Sequence, residues 1–265
     1  MLQTIQSWWR SLAPARRPRV ARRLSRDLMH YWINPDGETG RAAWMQAQLE
    51  RTGLRNRRVA ACTPSALPPL RLPARHTASP LQIACLCSHL AVLEQGLADA
   101  DELFMVMEDD IMLPFEVDFD RLLEQAPGDW EILQLYVVNA DRLHAMYTRS
   151  YRRGRLWERW KPLNHSTGAY VCSRGAAQRV LAKFKPDGVV DLQAYRGLLL
   201  ADDLLYRAAP TYSLTYPLYI ENDAFDSTLN SLKRFHAKSH AAVRRIWSES
   251  AGPDFARPSS AREQS

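Results

Sequence analysis

Five apolar residues, Leu103-Phe104-Met105-Val106-Met107, run directly into three acids, Glu108-Asp109-Asp110. The run is too short for a helix and apolar at every position, which fits a central strand covered on both faces. In α/β sheets built on such strands, ligand chemistry gathers beyond their carboxyl ends. Side chains leaving a strand alternate, so Glu108 and Asp110 are expected to face one way, with Asp109 turned aside or toward the sheet. Two carboxylates side by side fit a hard divalent cation with oxygen ligands. The competing reading is a solvated turn, although three buried acids would repel one another unless neutralised.

The flanking sequence supplies the rest of such a sheet. Residues 28–33 read as a strand closed by the turn Asn34-Pro35-Asp36-Gly37, and residues 39–51 as an amphipathic helix ended by Gly53. Residues 59–62 read as a second strand. Five prolines between 63 and 80 predict an extended, exposed loop. Ser79 and Pro80 then suit the start of a helix over 81–97. A helix at 119–125, a strand at 130–138, a strand at 169–172 leading into a helix at 173–184, a helix at 201–208 and a strand at 212–220 follow. Residues 141–164 show no clean period and are expected to form a loop or irregular strand over the site. This order predicts one α/β domain, residues 27–247, with a mainly parallel central sheet, and a disordered tail over 248–265.

The net charge of +6 belongs to one end of the chain. Residues 1–26 hold seven arginines and no acid, while the remainder is close to neutral. No nucleic-acid partner is therefore expected of the body. The arm, with Trp8 and Trp9, fits either peripheral contact with an anionic membrane or a poorly ordered extension. Its composition also matches an organellar transit segment, whereas a signal peptide would need a continuous apolar core. No apolar run approaches the length of about twenty residues that spans a bilayer. Cys62, Cys85, Cys87 and Cys172 show no disulfide-framework spacing, which predicts reduced thiols and a cytoplasmic location.

Three blocks in order carry a family likeness. Ala84-Cys85-Leu86-Cys87-Ser88-His89-Leu90 through the acidic run, Ser166-Thr167-Gly168-Ala169-Tyr170-Val171-Cys172-Ser173-Arg174-Gly175-Ala176, and Ile220-Glu221-Asn222-Asp223-Ala224-Phe225-Asp226-Ser227-Thr228 resemble glycosyltransferase family 25. The chain departs from that pattern at residues 33–37, where the family's first strand ends Asn-Leu-Asp-Arg, and at Ala84, where a glycine is usual. The resemblance implies a GT-A type nucleotide-diphospho-sugar transferase fold, inversion at the anomeric carbon, a UDP-hexose donor (often UDP-galactose), Mn2+ or a similar cation, and a lipopolysaccharide-type acceptor. It implies that Asp110 contacts the metal, with Glu108 as a second ligand or ribose contact. Glu108, Asp109, Thr167 and Gly168 are the expected donor-side contacts. A receiver domain of response-regulator type also places acids after a strand, but it needs a later strand-terminal lysine, and Lys161-Pro162 follows no apolar strand.

Inversion needs a base for the acceptor hydroxyl. Asp202 and Asp203, opening the 201–208 helix, are the expected bases, with Asp191 in reserve. Their plainer reading is charge at a helix N-terminus. His89 is expected to be a packed histidine bonded to backbone with help from Ser88, since no further zinc ligands stand at recognisable spacing. Asp223 and Asp226 suit acceptor or metal contact as well as turn chemistry. His236 and His240 suit either a completed metal shell or a solvated helix face. Tyr147, Tyr151, Trp157 and Trp160 suit sugar stacking or core cover.

Overall fold

The computed structural model describes residues 27–225 and 233–259. The basic arm, Asp226, Ser227 and Thr228 therefore lie outside the described residues. The leading unit is β1 (Met29–Asn34), α1 (Thr39–Thr52) and β2 (Asn56–Ala60). Gly53 ends α1 at φ 66, a left-handed conformation that favours glycine. The Pro-rich stretch is extended and contains only β3 (Leu70–Arg71). In α2 (Pro80–Ala98), Ser79 accepts from Gln82 N while the Gln82 side chain accepts from Ser79 N. After α2 come β4 (Leu103–Glu108), β5 (Ile111–Met112), β6 (Phe115–Val117), α3 (Phe119–Glu124) and β7 (Ile132–Gln134). The second half holds α4 (Ala140–Arg149), β8 (Trp157–Arg159), β9 (Ala169–Ser173), α5 (Arg174–Phe184) and β10 (Val190–Asp191). The chain continues through α6 (Ala201–Ala208), β11 (Thr211–Leu214), β12 (Ile220–Glu221), α7 (Lys233–Glu249) and β13 (Ala256–Pro258).

The central sheet is seven-stranded, in the order β2-β1-β4-β9-β7-β11-β8. β2, β1, β4, β7 and β11 point one way, while β9 and the edge strand β8 run against them. The fold is thus α/β with a mainly parallel sheet. Strand alternation divides its core. Phe104 and Val106 join Tyr31, Ile33 and Tyr170 under α2, α5 and α6. Met105 and Met107 join Trp32 and Val171 under α1, α3, α4 and α7. α2 is long and apolar enough by composition to cross a membrane, contrary to the sequence expectation, but over half of it is buried within the protein. Gly96 lets it lie against the sheet, because a Cβ there would stand 2.6 Å from Phe104 Cε1.

Three expectations require correction. Residues 140–149 form a helix: Asn139 caps Arg142 N, and Leu143, Met146 and Tyr147 make one buried face that the surrounding polar residues obscure. The strand expected over 212–220 is two, because the chain leaves β11 at Leu214 and pairs again as β12 with β5. The tail expected from residue 248 is ordered to Ser259. Phe255 is 1% exposed, and β13 pairs with β6.

Candidate functional site

The acidic run does not behave as strand alternation predicts. β4 ends at Glu108, and Asp109 and Asp110 form a turn, so the three carboxylates take different directions. Glu108 follows Phe104 and Val106 onto the α2 face, where its Oε1 accepts from Thr167 Oγ1 at 2.9 Å and lies 3.4 Å from His89 Nε2. Asp109, expected at the cofactor, is 3% exposed. It accepts from Asn34 Nδ2 at 2.6 Å and pairs with Arg41. Burial still pushes its carboxyl above the usual range, against the pull of Asn34 and Arg41.

Asp110 turns to the α1 and α7 side. Arg41 Nη2 reaches its Oδ2 at 3.1 Å, while its Oδ1 is buried without a hydrogen-bond partner among the described residues. Burial, then the charges of Glu221 and Glu108, push this carboxyl well above its ordinary value. Glu108 and Asp110 thus have different hydrogen-bond partners, while the Glu108 charge still acts on Asp110.

Glu221 is a further carboxylate beside Asp110. β12 brings it beside Asp110 through pairing with β5, and His236 on α7 hydrogen-bonds its carboxylate. His240 Nε2 lies 3.8 Å from the same oxygen, and Asp223 lies 3.9 Å from His240 Nδ1. Burial raises the Glu221 carboxyl, but the His236 hydrogen bond and the nearby His236 and His240 imidazoles outweigh it and leave it below the usual range. The Glu221 hydrogen bond in turn raises His236. These groups line a cleft of about 480 Å³, with Phe225 and Arg244 at its wall. Both histidines thus belong to the cleft and not to a solvated helix face, because α7 packs against the body through Val243 and Ile246.

The donor types lining this cleft suit a divalent cation. Carboxylates and imidazoles converge, and the buried Asp110 Oδ1 and His240 Nε2 have no hydrogen-bond partner among the described residues. No local signal points to Arg41, whose buried guanidinium holds Asp109 and Asp110 together. Glu221 is visible in the sequence only as part of a block, since its role depends on a pairing across more than a hundred residues.

The other expected residues are placed differently. Thr167 is bonded to Glu108. Gly168 is a packing glycine: a Cβ would stand 2.8 Å from Ile111 Cδ1 and 2.9 Å from Tyr136 Cδ1. Asp203 accepts from Tyr195 Oη at 2.7 Å, Leu198 N at 3.0 Å and Arg207 Nε at 2.7 Å, which commits it to structure. Asp202 accepts from Ser166 N at 3.2 Å and lies 3.4 Å from the Nδ1 of half-buried His165. The hydrogen bond that His165 donates to Asp202 raises the imidazole. Asp191 lies away from these groups, paired with Arg71 at 3.4 Å. Tyr147 stacks on Tyr151 with centroids 5.8 Å apart, and Trp160 meets Tyr206 edge-on, so both pairs cover the core.

On the α2 face, His89 is fully buried and its Nδ1 lies 3.2 Å from Tyr170 Oη, not on backbone as expected. Ser88 instead donates to Ala84 O and accepts from Cys62 N. All four cysteines are free of disulfides. Burial, with Glu108, Asp202 and Asp110 adding charge, pushes the Cys85 thiol well above its ordinary value.

No family model and no curated protein matches the sequence. Among solved structures, the chain is similar to the crystal structure of a glycosyltransferase involved in the glycosylation of the major capsid of PBCV-1. Identity is 8% and the TM-score 0.35, over 81% of this chain and 98% of that one.

Proposed function

We propose that the chain is an inverting glycosyltransferase of GT-A type, moving a hexose from a UDP-sugar, galactose first among them, to a cell-surface glycan such as lipopolysaccharide. The observation that carries this reading is the convergence of Asp110, Glu221, His236 and His240 on one cleft at the sheet's carboxyl edge, with Asp110 Oδ1 left unpaired among the described residues. Those four side chains would hold the cation, with Glu221 replacing Glu108 as the second carboxylate. A bound Mn2+ or similar cation would neutralise the diphosphate and make UDP a better leaving group. Arg41 pairs with both Asp109 and Asp110 and holds the turn, so that it presents Asp110 to the cleft.

The remaining roles follow from position. The turn Ser166-Thr167-Gly168 lies at the start of β9 beside the end of β4, on the donor side of the sheet, where Glu108 N donates to Gly168 O at 3.0 Å. Asp202 is the base that we assign to the acceptor hydroxyl, with His165 beside it to receive or share the proton. The reaction belongs at the cytoplasmic side of a membrane, with the arginine-rich arm as the membrane contact. A second reading, binding of nucleotide-sugar or glycan without efficient transfer, is favoured by the complete engagement of Asp203.

UDP release from UDP-galactose with Mn2+, compared between the native chain and Asp110→Ala, tests the proposal. Release that requires both Mn2+ and Asp110, together with a glycosylated product, supports transfer. Absence of Mn2+-dependent hydrolysis or transfer from every UDP-sugar tried removes it.

A further inference from the structure

A second cluster of metal-binding side chains lies between α2 and the end of β4, with ligand atoms different from those of the Asp110 cleft. Cys85 and His89 are one turn apart on α2 and so share a helix face. Glu108 meets them from the end of β4. The sulfur, one imidazole nitrogen and one carboxylate oxygen all lie within 4.8 Å of one another.

His89 is the informative member. It is 0% exposed, and its Nε2 is buried with no hydrogen-bond partner among the described residues, aimed at Glu108 Oε1 3.4 Å away. When Nδ1 donates to Tyr170 Oη, Nε2 carries a lone pair, so two acceptors face each other. A cation between them removes that repulsion, whereas the other tautomer, with Tyr170 Oη donating to Nδ1, points an Nε2–H at Glu108. An outer hydrogen bond on the far nitrogen is also how metal-binding histidines are oriented.

The spacing fits a particular kind of ion. Zinc bonds of about 2.0–2.2 Å to nitrogen and oxygen give a tetrahedron with edges of about 3.3–3.6 Å. The His89–Glu108 separation of 3.4 Å is such an edge. A sulfur ligand with an imidazole and a carboxylate selects a borderline d-block ion over Mg2+ or Mn2+. Glu108 is partly exposed, which leaves a route from solvent and a fourth coordination position open.

We propose that Cys85, His89 and Glu108 form a three-ligand Zn2+ site with one exchangeable position, separate from the cation cleft at Asp110. The site depends on no assumption about sugar transfer.

The test uses the full chain, stripped with a chelator and titrated with Co2+ as a spectroscopic stand-in for Zn2+. The expected result is a thiolate-to-cobalt charge-transfer band that saturates at one equivalent and is displaced by Zn2+, whatever further Co2+ the Asp110 cleft takes up without such a band. Cys85→Ser is expected to lose the band and weaken Zn2+ binding at least about tenfold, and Tyr170→Phe should keep the band but weaken binding by about 10–100-fold, the scale for removing an outer hydrogen bond. Asp110→Asn should keep the charge-transfer band, because Asp110 supplies no ligand to this site, which separates this site from the cleft. Circular dichroism reports the folding of each variant. Should Cys85→Ser not fold, Glu108→Gln decides the matter through weakened Zn2+ binding. A native chain without the band, a band that survives Cys85→Ser, or unaltered Zn2+ affinity in Glu108→Gln overturns the proposal.

Discussion

The backbone amide of Asn222 donates to the carbonyl oxygen of Asp110 at 2.7 Å. This bond ties the end of the acidic run to the β12 turn and sets Glu221 beside Asp110. The cleft is thus assembled by sheet pairing, with its carboxylates held together against their repulsion. Such strain is expected to appear in stability as well as in activity.

Asp110→Asn should stabilise the metal-free protein. Burial and the neighbouring acids disfavour the charged carboxylate, and Arg41 retains Asp109 as its partner. A gain of about 1 kcal/mol corresponds to a rise in Tm of about 2–4 °C for a chain of this size. Calorimetry in chelator measures it, and a fall of several degrees would show that this carboxylate holds the fold together. Mn2+-dependent UDP release in the same variant should drop by about a hundredfold or more, the scale for losing one electrostatic contact to a transition state.

Asp109→Ala should do the reverse. It leaves Arg41 without its closest partner and Asn34 Nδ2 without its short acceptor. Breaking a buried pair from one side costs about 3–5 kcal/mol. Urea unfolding should show that loss, and a change under about 1 kcal/mol, the range of an exposed pair, would contradict the structural role assigned to Asp109.

Gly96→Ala should destabilise the chain although alanine is the better helix former. The new methyl would meet the buried Phe104 ring, and overpacking of this kind costs about 1–3 kcal/mol. Combining it with Phe104→Leu should cost less than the sum of the two single changes, because the substitutions share one space. Additive losses would place the strain elsewhere.

Acid should weaken the fold through His30. This ring is buried with Nδ1 2.9 Å from Leu28 O, and burial lowers its pKa from 6.5 to about 4 against the backbone hydrogen bonds. The unfolded chain therefore binds the additional proton first, and stability falls as pH drops from 6.5 to about 4. The full window is worth about 3 kcal/mol. His30→Gln should flatten that part of a urea-stability profile, and parallel profiles for the two proteins would rule the assignment out.

Much of the fold was legible from local signals. The apolar run before Glu108 marked the central strand, Ser79-Pro80 marked the start of α2, and Gly53 marked the end of α1, because caps and burial act within a few residues. α4 was missed because its face is formed by Leu143, Met146 and Tyr147 among arginines and a histidine, which blur the period. Ordering beyond residue 248 was missed because β13 has no local signal and depends on pairing with β6.

By itself, the sequence determined that an acidic run would emerge from a doubly covered strand in an α/β sheet. Alternation of apolar side chains is a property of one extended segment, and each segment carries it alone. Which way each acid points was decided only by the tertiary structure. The turn after Glu108 ends the alternation, Arg41 and Asn34 take Asp109, and pairing of β5 with β12 brings Glu221, His236 and His240 to Asp110. Those partners come from distant parts of the chain, and only folding sets the distances at which their charges act.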